Sequence, residues 1–98
     1  MAKKLFLSIL TPERTLYEGE TDYFLVPGSA GFMGVLVDHA PLISSLKPGR
    51  FEIRPTAGKS FMFATKKTGL LEILANRVSI LLDTADSESF FVGDLQTS

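Results

Sequence analysis

The chain has 98 residues, a net charge of −1 and no cysteine. This length favours a single domain, and 45% hydrophobic residues with eight phenylalanines supply a core, which excludes a chain that is disordered by composition. The lack of cysteine excludes a disulfide scaffold and a zinc site with thiolate ligands. Ten basic residues against eleven acidic residues leave no positive excess for a nucleic-acid backbone, so we expect no nucleic-acid partner.

Glycine and proline interrupt the chain so often that strands are favoured over helices. Short apolar stretches with alternating or β-branched side chains predict strands at residues 4–10, 15–17, 21–26, 34–37, 42–46, 51–54, 61–64, 70–74 and 78–82. Their spacing is typical of a sandwich or a barrel. The sequence therefore predicts an all-β fold, an antiparallel β-sandwich of about ten short strands in a single domain.

Two turn signals punctuate this pattern. Pro27-Gly28 predicts a turn after the third predicted strand. Lys47-Pro48-Gly49-Arg50 suits a type II turn, because proline presets the first central residue and glycine accepts positive φ at the second. We therefore expect a hairpin around residues 47–50.

The C-terminal stretch has a different character. Residues 83–98 contain four acidic residues and no basic residue, yet they include the apolar run Phe90-Phe91-Val92. This run is expected to be either a final strand or part of a docked tail.

His39 is the single histidine and the first candidate for catalysis. A general base needs a partner that orients its ring, but Asp38 is adjacent, and neighbouring side chains of an extended segment point to opposite faces. We therefore favour a polar residue at a bend, followed by Ala40, which Pro41 holds in an extended conformation. One histidine and scattered acids offer no set of metal ligands, so no metal site is predicted.

The glycine-rich segment from Gly28 to Gly34 follows a predicted strand and suggests a phosphate cradle. Its spacing matches neither a dinucleotide fingerprint nor a Walker loop, and no helix follows it, so a loop with positive-φ glycines is favoured. At its tip, Phe32 and Met33 either pack into the core or are presented to a partner.

Three blocks in a fixed order carry a family resemblance: Val-Pro-Gly-Ser-Ala-Gly-Phe-Met-Gly-Val at residues 26–35, His-Ala-Pro-Leu at 39–42 and Leu-Lys-Pro-Gly at 46–49. The chain resembles the N-terminal β-sandwich domain of the epsilon subunit of F-type ATP synthases, which is called delta in mitochondria. With the further blocks at residues 69–73 and 76–85, the resemblance covers about residues 4–85.

The resemblance implies a non-catalytic rotor subunit without cofactor, which links the gamma subunit of the central stalk to the ring of c subunits. It carries contact roles onto Gly31, Phe32, Met33, Gly34 and His39 at the c ring and onto Thr11 near gamma. It also implies a peripheral position on the cytoplasmic face of a bacterial inner membrane, with an organelle membrane as the alternative.

Three departures from the family pattern are visible. Family members often have an acidic residue where this chain has Phe32, and Pro-Gly where it has Val37-Asp38. The family also continues with a two-helix hairpin, whereas 13 residues after Ala85 are too few for two helices. We therefore predict a sandwich domain at residues 1–85 and an acidic tail or final strand at 86–98, without the hairpin.

Two other hypotheses remain open from the residues alone. The glycine loop and His39 also suit a free-standing β-sandwich module that binds a small ligand. A small hydrolase that uses His39 is the second. Both differ from the rotor hypothesis in needing a site for a small molecule.

Overall fold

The structure, a computed structural model, describes residues 3–83 and the backbone of residues 90–94. These residues form nine strands and no helix. The strands are β1 (Leu5–Leu10), β2 (Thr15–Gly28), β3 (Gly31–Val35), β4 (Leu42–Leu46), β5 (Gly49–Pro55), β6 (Phe61–Thr65), β7 (Gly69–Leu74), β8 (Arg77–Leu82) and β9 (Phe90–Asp94). The predicted all-β sandwich is confirmed, with nine described strands against the expected ten.

The long strand β2 belongs to both layers of the sandwich. Its first half pairs with β1, and the first layer runs in the order β4-β7-β8-β1-β2. Its second half lies between β3 and β5, and the second layer runs β3-β2-β5-β6-β9. The register shifts between Thr21 and Tyr23, where β2 passes from one layer to the other. Such a bulge bends a strand, which allows a single strand to serve two sheets.

One pairing departs from the expected antiparallel arrangement. β1 and β8 are parallel, with Phe6 opposite Arg77 and Leu10 opposite Leu81, whereas the other pairings of described strands are antiparallel. A parallel pair requires a long connection between its two strands. Here that connection is most of the domain, since β2 to β7 lie between β1 and β8 in the chain.

The core lies between the two layers. Its fifteen apolar residues are all less than 4% exposed: Leu5, Leu7, Ile9, Phe24, Val26, Val35, Leu46, Phe51, Ile53, Phe63, Leu71, Ile73, Val78, Ile80 and Leu82. Phe51 and Phe63 face each other across β5 and β6, with ring centroids 4.6 Å apart and nearly parallel planes. The buried polar side-chain atoms in the described part of the chain all have hydrogen-bond partners. The interior is therefore apolar, and the buried polar side-chain atoms within it are hydrogen-bonded.

The turn predicted at Pro27-Gly28 is wrong, because both residues continue β2 and the chain reverses at the next two residues, Ser29-Ala30. Proline has no N–H for a ladder, but its carbonyl can still accept. The strand extends past the proline because Pro27 and Gly28 pair with Phe32 and Gly31 of β3, and the carbonyl of Pro27 also accepts a hydrogen bond of 2.8 Å from Lys47 N.

The hairpin predicted at residues 47–50 is also wrong. β4 pairs with β7, whereas β5 pairs with β2 and β6, so this segment connects the two layers of the sandwich. Gly49 has a φ of 156°, about 75° from the value of a type II turn. A Cβ at this position would lie 3.3 Å from the Cβ of Pro27. The glycine is needed where the connection crosses close to β2.

The predicted boundary at residue 85 falls within residues 84–89, which lie outside the described residues. The following strand, Phe90–Asp94, pairs antiparallel with β6, with Phe90 opposite Thr65 and Asp94 opposite Phe61. Strand β9 thus forms one edge of the second layer, and β3 forms the other.

Candidate functional site

Strand β3 carries four of the six predicted contact residues at the edge of the second layer. Met33 pairs with the buried Val26, faces inward and packs against the core. Phe32 pairs with Pro27 on the opposite face, and 61% of its surface is exposed. Alternation along the strand separates the two side chains, so Phe32 is the one presented to solvent.

The glycines of this segment have structural reasons in the backbone. Gly28 pairs with Gly31 around the two-residue turn, and Gly31 has a φ of 131° that other residues avoid. Gly34 lies beneath the ring of Tyr23, since a Cβ there would lie 3.1 Å from Tyr23 Cε2. These glycines therefore serve a tight hairpin and a packed ring, as the loop interpretation expected, and they do not form a phosphate cradle.

His39 lies half-buried in the connection between β3 and β4, residues 36–41. Its backbone N donates to the carbonyl of Leu36 at 3.2 Å, and its Nδ1 donates to the carbonyl of Ala40 at 2.7 Å. Both bonds are local: the first closes the backbone turn, and the second holds the ring against its own loop. The arrangement is that of a bend residue, as the sequence indicated.

The carboxylate of Asp38 contacts Asn76 and Lys3. It does not contact the ring of the adjacent His39, whose Nδ1 bonds to the carbonyl of Ala40. Asn76 Nδ2 donates to Asp38 Oδ1 at 3.1 Å, and Lys3 Nζ lies 3.3 Å from the same oxygen. The hydrogen bond from Asn76 and then Lys3 lower the pKa of Asp38. Because the folded pKa lies below that of the unfolded chain, these contacts stabilise the fold at neutral pH. Their contribution is lost as the pH falls through the folded pKa.

Thr11, the predicted gamma contact, lies in a different part of the fold, in the turn that joins β1 to β2. Its backbone N donates to the carbonyl of Arg14 at 2.9 Å, and its Oγ1 accepts from Arg14 N at 3.1 Å. The structure thus brings together β3 and the loop of His39, which are consecutive in the chain, and places Thr11 in a separate turn.

A second apolar surface was missed by the sequence reasoning. We call it the outer leucine face: Ile43 on β4, Leu70 and Leu74 on β7, and Leu81 on β8, all exposed on the outer side of the first layer. Ile43 is 67% exposed and Leu74 is 61% exposed, and both line a shallow groove between β4 and β7.

The signal for the outer leucine face is present in the sequence as adjacent apolar pairs. Leu70-Leu71 and Leu81-Leu82 each place one leucine inward and one outward, because neighbouring side chains of a strand alternate. Leu70 and Leu81 are also direct partners across β7 and β8. In these two strands apolar side chains therefore occur on both faces, and the outward ones are left exposed on the surface of the first layer.

Within residues 3–83, no group of three or more histidine, cysteine or acidic side chains is placed to hold a metal ion. The described residues also contain no helix long and apolar enough to cross a membrane. The large apolar side chains that are exposed in this part of the chain lie on two surfaces, the β3 edge with its loop and the outer leucine face.

Comparison with known proteins agrees with this fold. The family described as ATP synthase, Delta/Epsilon chain, beta-sandwich domain matches residues 4–88. The chain belongs to this family. The resemblance drawn from residues 26–49 is thereby confirmed, and the matched range extends slightly beyond residue 85.

Curated relatives in this family have the same domain. The ATP synthase epsilon chain of Leptospira interrogans (strain Fiocruz L1-130) is 45% identical over 82 residues, which are 84% of this chain and 63% of that protein. The epsilon chain of Desulforamulus reducens is 38% identical over 86 residues, 88% of this chain and 64% of that protein. The chain therefore spans slightly less than two thirds of the length of these relatives.

Two solved structures share the delta/epsilon sandwich fold. A chain in the cryo-EM structure of Euglena gracilis mitochondrial ATP synthase, OSCP/F1/c-ring, superposes with a TM-score of 0.76 and 19% identity, over 86% of this chain and 53% of that chain. A chain in the cryo-EM structure of the Tetrahymena thermophila mitochondrial ATP synthase, central stalk and c-ring, superposes with a TM-score of 0.71 and 16% identity. The superposition covers 91% of this chain and 66% of that chain.

Proposed function

We propose that this chain is a non-catalytic rotor subunit in the central stalk of a proton-translocating F-type ATP synthase. It links the gamma subunit to the c-subunit ring and supports the coupling of ion flow to ATP synthesis. The observation that carries this proposal is the match of residues 4–88 to the delta/epsilon sandwich domain. Relatives of this domain are epsilon chains of bacterial ATP synthases.

The exposed apolar surfaces support a role in binding other subunits. The core is already filled, so Phe32 at 61% exposure and Ile43 at 67% exposure contribute nothing to the interior of the free domain. Clustered exposed apolar residues on a small soluble domain mark contact surfaces. Such surfaces suit a chain that contacts other subunits within a hetero-oligomeric complex.

We assign the β3 edge and its loop to the c ring, with Gly31, Phe32, Met33, Gly34 and His39 as the contact segment. Phe32 would make an apolar contact, with Met33 supporting it from the core side. Thr11, in the β1–β2 turn, is assigned to gamma. Because relatives of this chain are epsilon chains of bacterial ATP synthases, we also place the protein at the periphery of a bacterial inner membrane, on its cytoplasmic face.

Co-purification with the rotor tests the proposed function. The full chain carrying an affinity tag is mixed with the gamma subunit and the detergent-solubilised c ring of the same organism. We expect a stable complex of one copy of this chain with gamma and the ring, and no ATP hydrolysis by the chain alone. Recovery of the chain alone, with gamma and the ring in the unbound fraction, would overturn the proposal.

A further inference from the structure

The loop of residues 36–41 is fixed at one point by a reciprocal pair of hydrogen bonds to another strand connection. Asp38 N donates to Asn76 Oδ1 at 2.6 Å, and Asn76 Nδ2 donates back to Asp38 Oδ1 at 3.1 Å. The two residues are 38 positions apart in the sequence. This pair ties the loop of His39 to the turn between β7 and β8.

Asp38 has a backbone conformation that needs such support. Its φ is 66°, in the left-handed region that is uncommon for residues other than glycine. Asparagine and aspartate tolerate it best, because their short polar side chains bond to nearby groups. In this loop, the side chain and the N–H of Asp38 are both engaged by Asn76.

The backbone of Asn76 is fixed by a tight turn and by a hydrogen bond to β1. It lies in the two-residue turn Ala75-Asn76, where the φ values are 52° and 64°, as in the tight turns that join antiparallel strands. Its carbonyl accepts a hydrogen bond of 2.8 Å from Phe6 N, at the start of the parallel pair of β1 and β8. Lys3, just before β1, adds an exposed ion pair of 3.3 Å to Asp38.

We propose that Asn76 is a positioning residue for the rotor contact: its side-chain amide holds Asp38 in the left-handed conformation and so presents Leu36 and His39 to the partner. This inference rests on the proposed function of the loop. Leu36 is 60% exposed and accepts the backbone bond from His39 N at 3.2 Å, so both residues move with the loop.

The physical benefit is preorganisation. A loop that is ordered before binding does not lose conformational freedom when the partner arrives, so its affinity is higher for the same contacts. The pair lies on the surface, with more than half of the Asp38 side chain exposed, whereas the core is held by the apolar residues between the layers. Loss of the pair should therefore loosen the loop more than it destabilises the domain.

Substitution Asn76→Gly is the sharpest test, because glycine keeps the left-handed turn conformation and removes only the side chain. We expect faster amide hydrogen exchange in residues 36–40 and about threefold to tenfold weaker binding to the purified gamma–c-ring rotor. Asp38→Asn retains an oxygen acceptor and should bind within about twofold of the unsubstituted chain, since an exposed ion pair contributes little.

Thr56→Ala is the matched control. Thr56 Oγ1 donates to Asp22 Oδ1 at 2.8 Å, an exposed side-chain bond between the β5–β6 turn and β2, and its removal should leave rotor binding unchanged. Urea unfolding of each variant confirms that the domain remains folded.

The outcomes separate the inference from the proposed function. The positioning role is wrong if the Asn76→Gly variant shows the same amide hydrogen exchange and the same rotor binding as the unsubstituted chain. It is also wrong if amide exchange in the loop becomes faster but rotor binding is unchanged. If the unsubstituted chain itself does not bind the rotor, the proposed function and the positioning role both fail. The exchange data then still decide whether Asn76 orders the loop.

Discussion

At the scale of single residues, Gly69 and Gly34 leave little space for a side chain. A Cβ at Gly69 would lie 2.7 Å from the carbonyl oxygen of Leu81 and 2.9 Å from Leu82 Cδ2. A Cβ at Gly34 would lie 3.1 Å from the ring of Tyr23. A clash with backbone is relieved only by moving a strand, whereas a ring can rotate or shift. Gly69 is therefore the more demanding of the two positions.

Substitution Gly69→Ala is expected to lower the free energy of unfolding by about 1–3 kcal/mol, because β7 must move away from β8 to accept the methyl group. Urea denaturation followed by circular dichroism measures this change. Thr68→Ala is the control: it removes an exposed side-chain bond of 3.3 Å to Asp83 and should change stability by about 0.5 kcal/mol or less. An unfolding midpoint for Gly69→Ala equal to that of the control would contradict the steric argument.

At the scale of elements, the alternation of apolar and polar residues predicts the inward-facing side chains of some strands but not the bounds of β2. Phe51 and Ile53 point inward in β5 as the pattern indicated, and Phe63 does so in β6. β2 was predicted as two strands ending at Pro27-Gly28, yet it is one strand of 14 residues. The proline remains in the strand because Pro27 and Gly28 pair with β3, and Lys47, from another connection, also bonds to the proline carbonyl. That partner cannot be found from local sequence.

The stacked pair in β5 and β6 holds the second layer onto the core. We expect Phe63→Ala to lower the free energy of unfolding by about 3–5 kcal/mol, because the substitution leaves a cavity beside Phe51 that the packed layers cannot close. Met62 is half-buried on the outer side of the same strand, so Met62→Ala should lower the free energy of unfolding clearly less than Phe63→Ala does. Equal losses measured for the two variants in urea would show that Phe63 is not central to the core.

At the scale of the whole molecule, the sandwich has an apolar interior and also an apolar exterior on one layer. The outer leucine face adds nothing to the core, since its side chains are 38% to 67% exposed. For a domain of this size, burial of further apolar surface against a partner stabilises the folded state through binding. Because the outer leucine face lies outside the core, its side chains can be changed with little effect on folding, and any effect on binding can then be measured separately.

The double substitution Ile43→Ser and Leu74→Ser tests this separation. We expect the free energy of unfolding of the free chain to change by about 1 kcal/mol or less, because both side chains are more than 60% exposed. Capture by the gamma–c-ring rotor should decrease markedly. Ala57→Ser, in the exposed β5–β6 turn, is the control and should bind normally. Normal capture of the double variant would exclude the outer leucine face from the interface.

The sequence by itself determined the fold class, most of the inward-facing residues of β1, β5 and β6, and the family. These are local properties, because a period of two and a set of motifs can be read without knowing which strands are neighbours. The tertiary structure alone decided the parallel pairing of β1 with β8, the division of β2 between two layers, and the outward side of each leucine pair. It also decided the contact of Asp38 with Asn76. Each of these depends on residues far apart in the chain, whose meeting is fixed only when the two layers close on a common core.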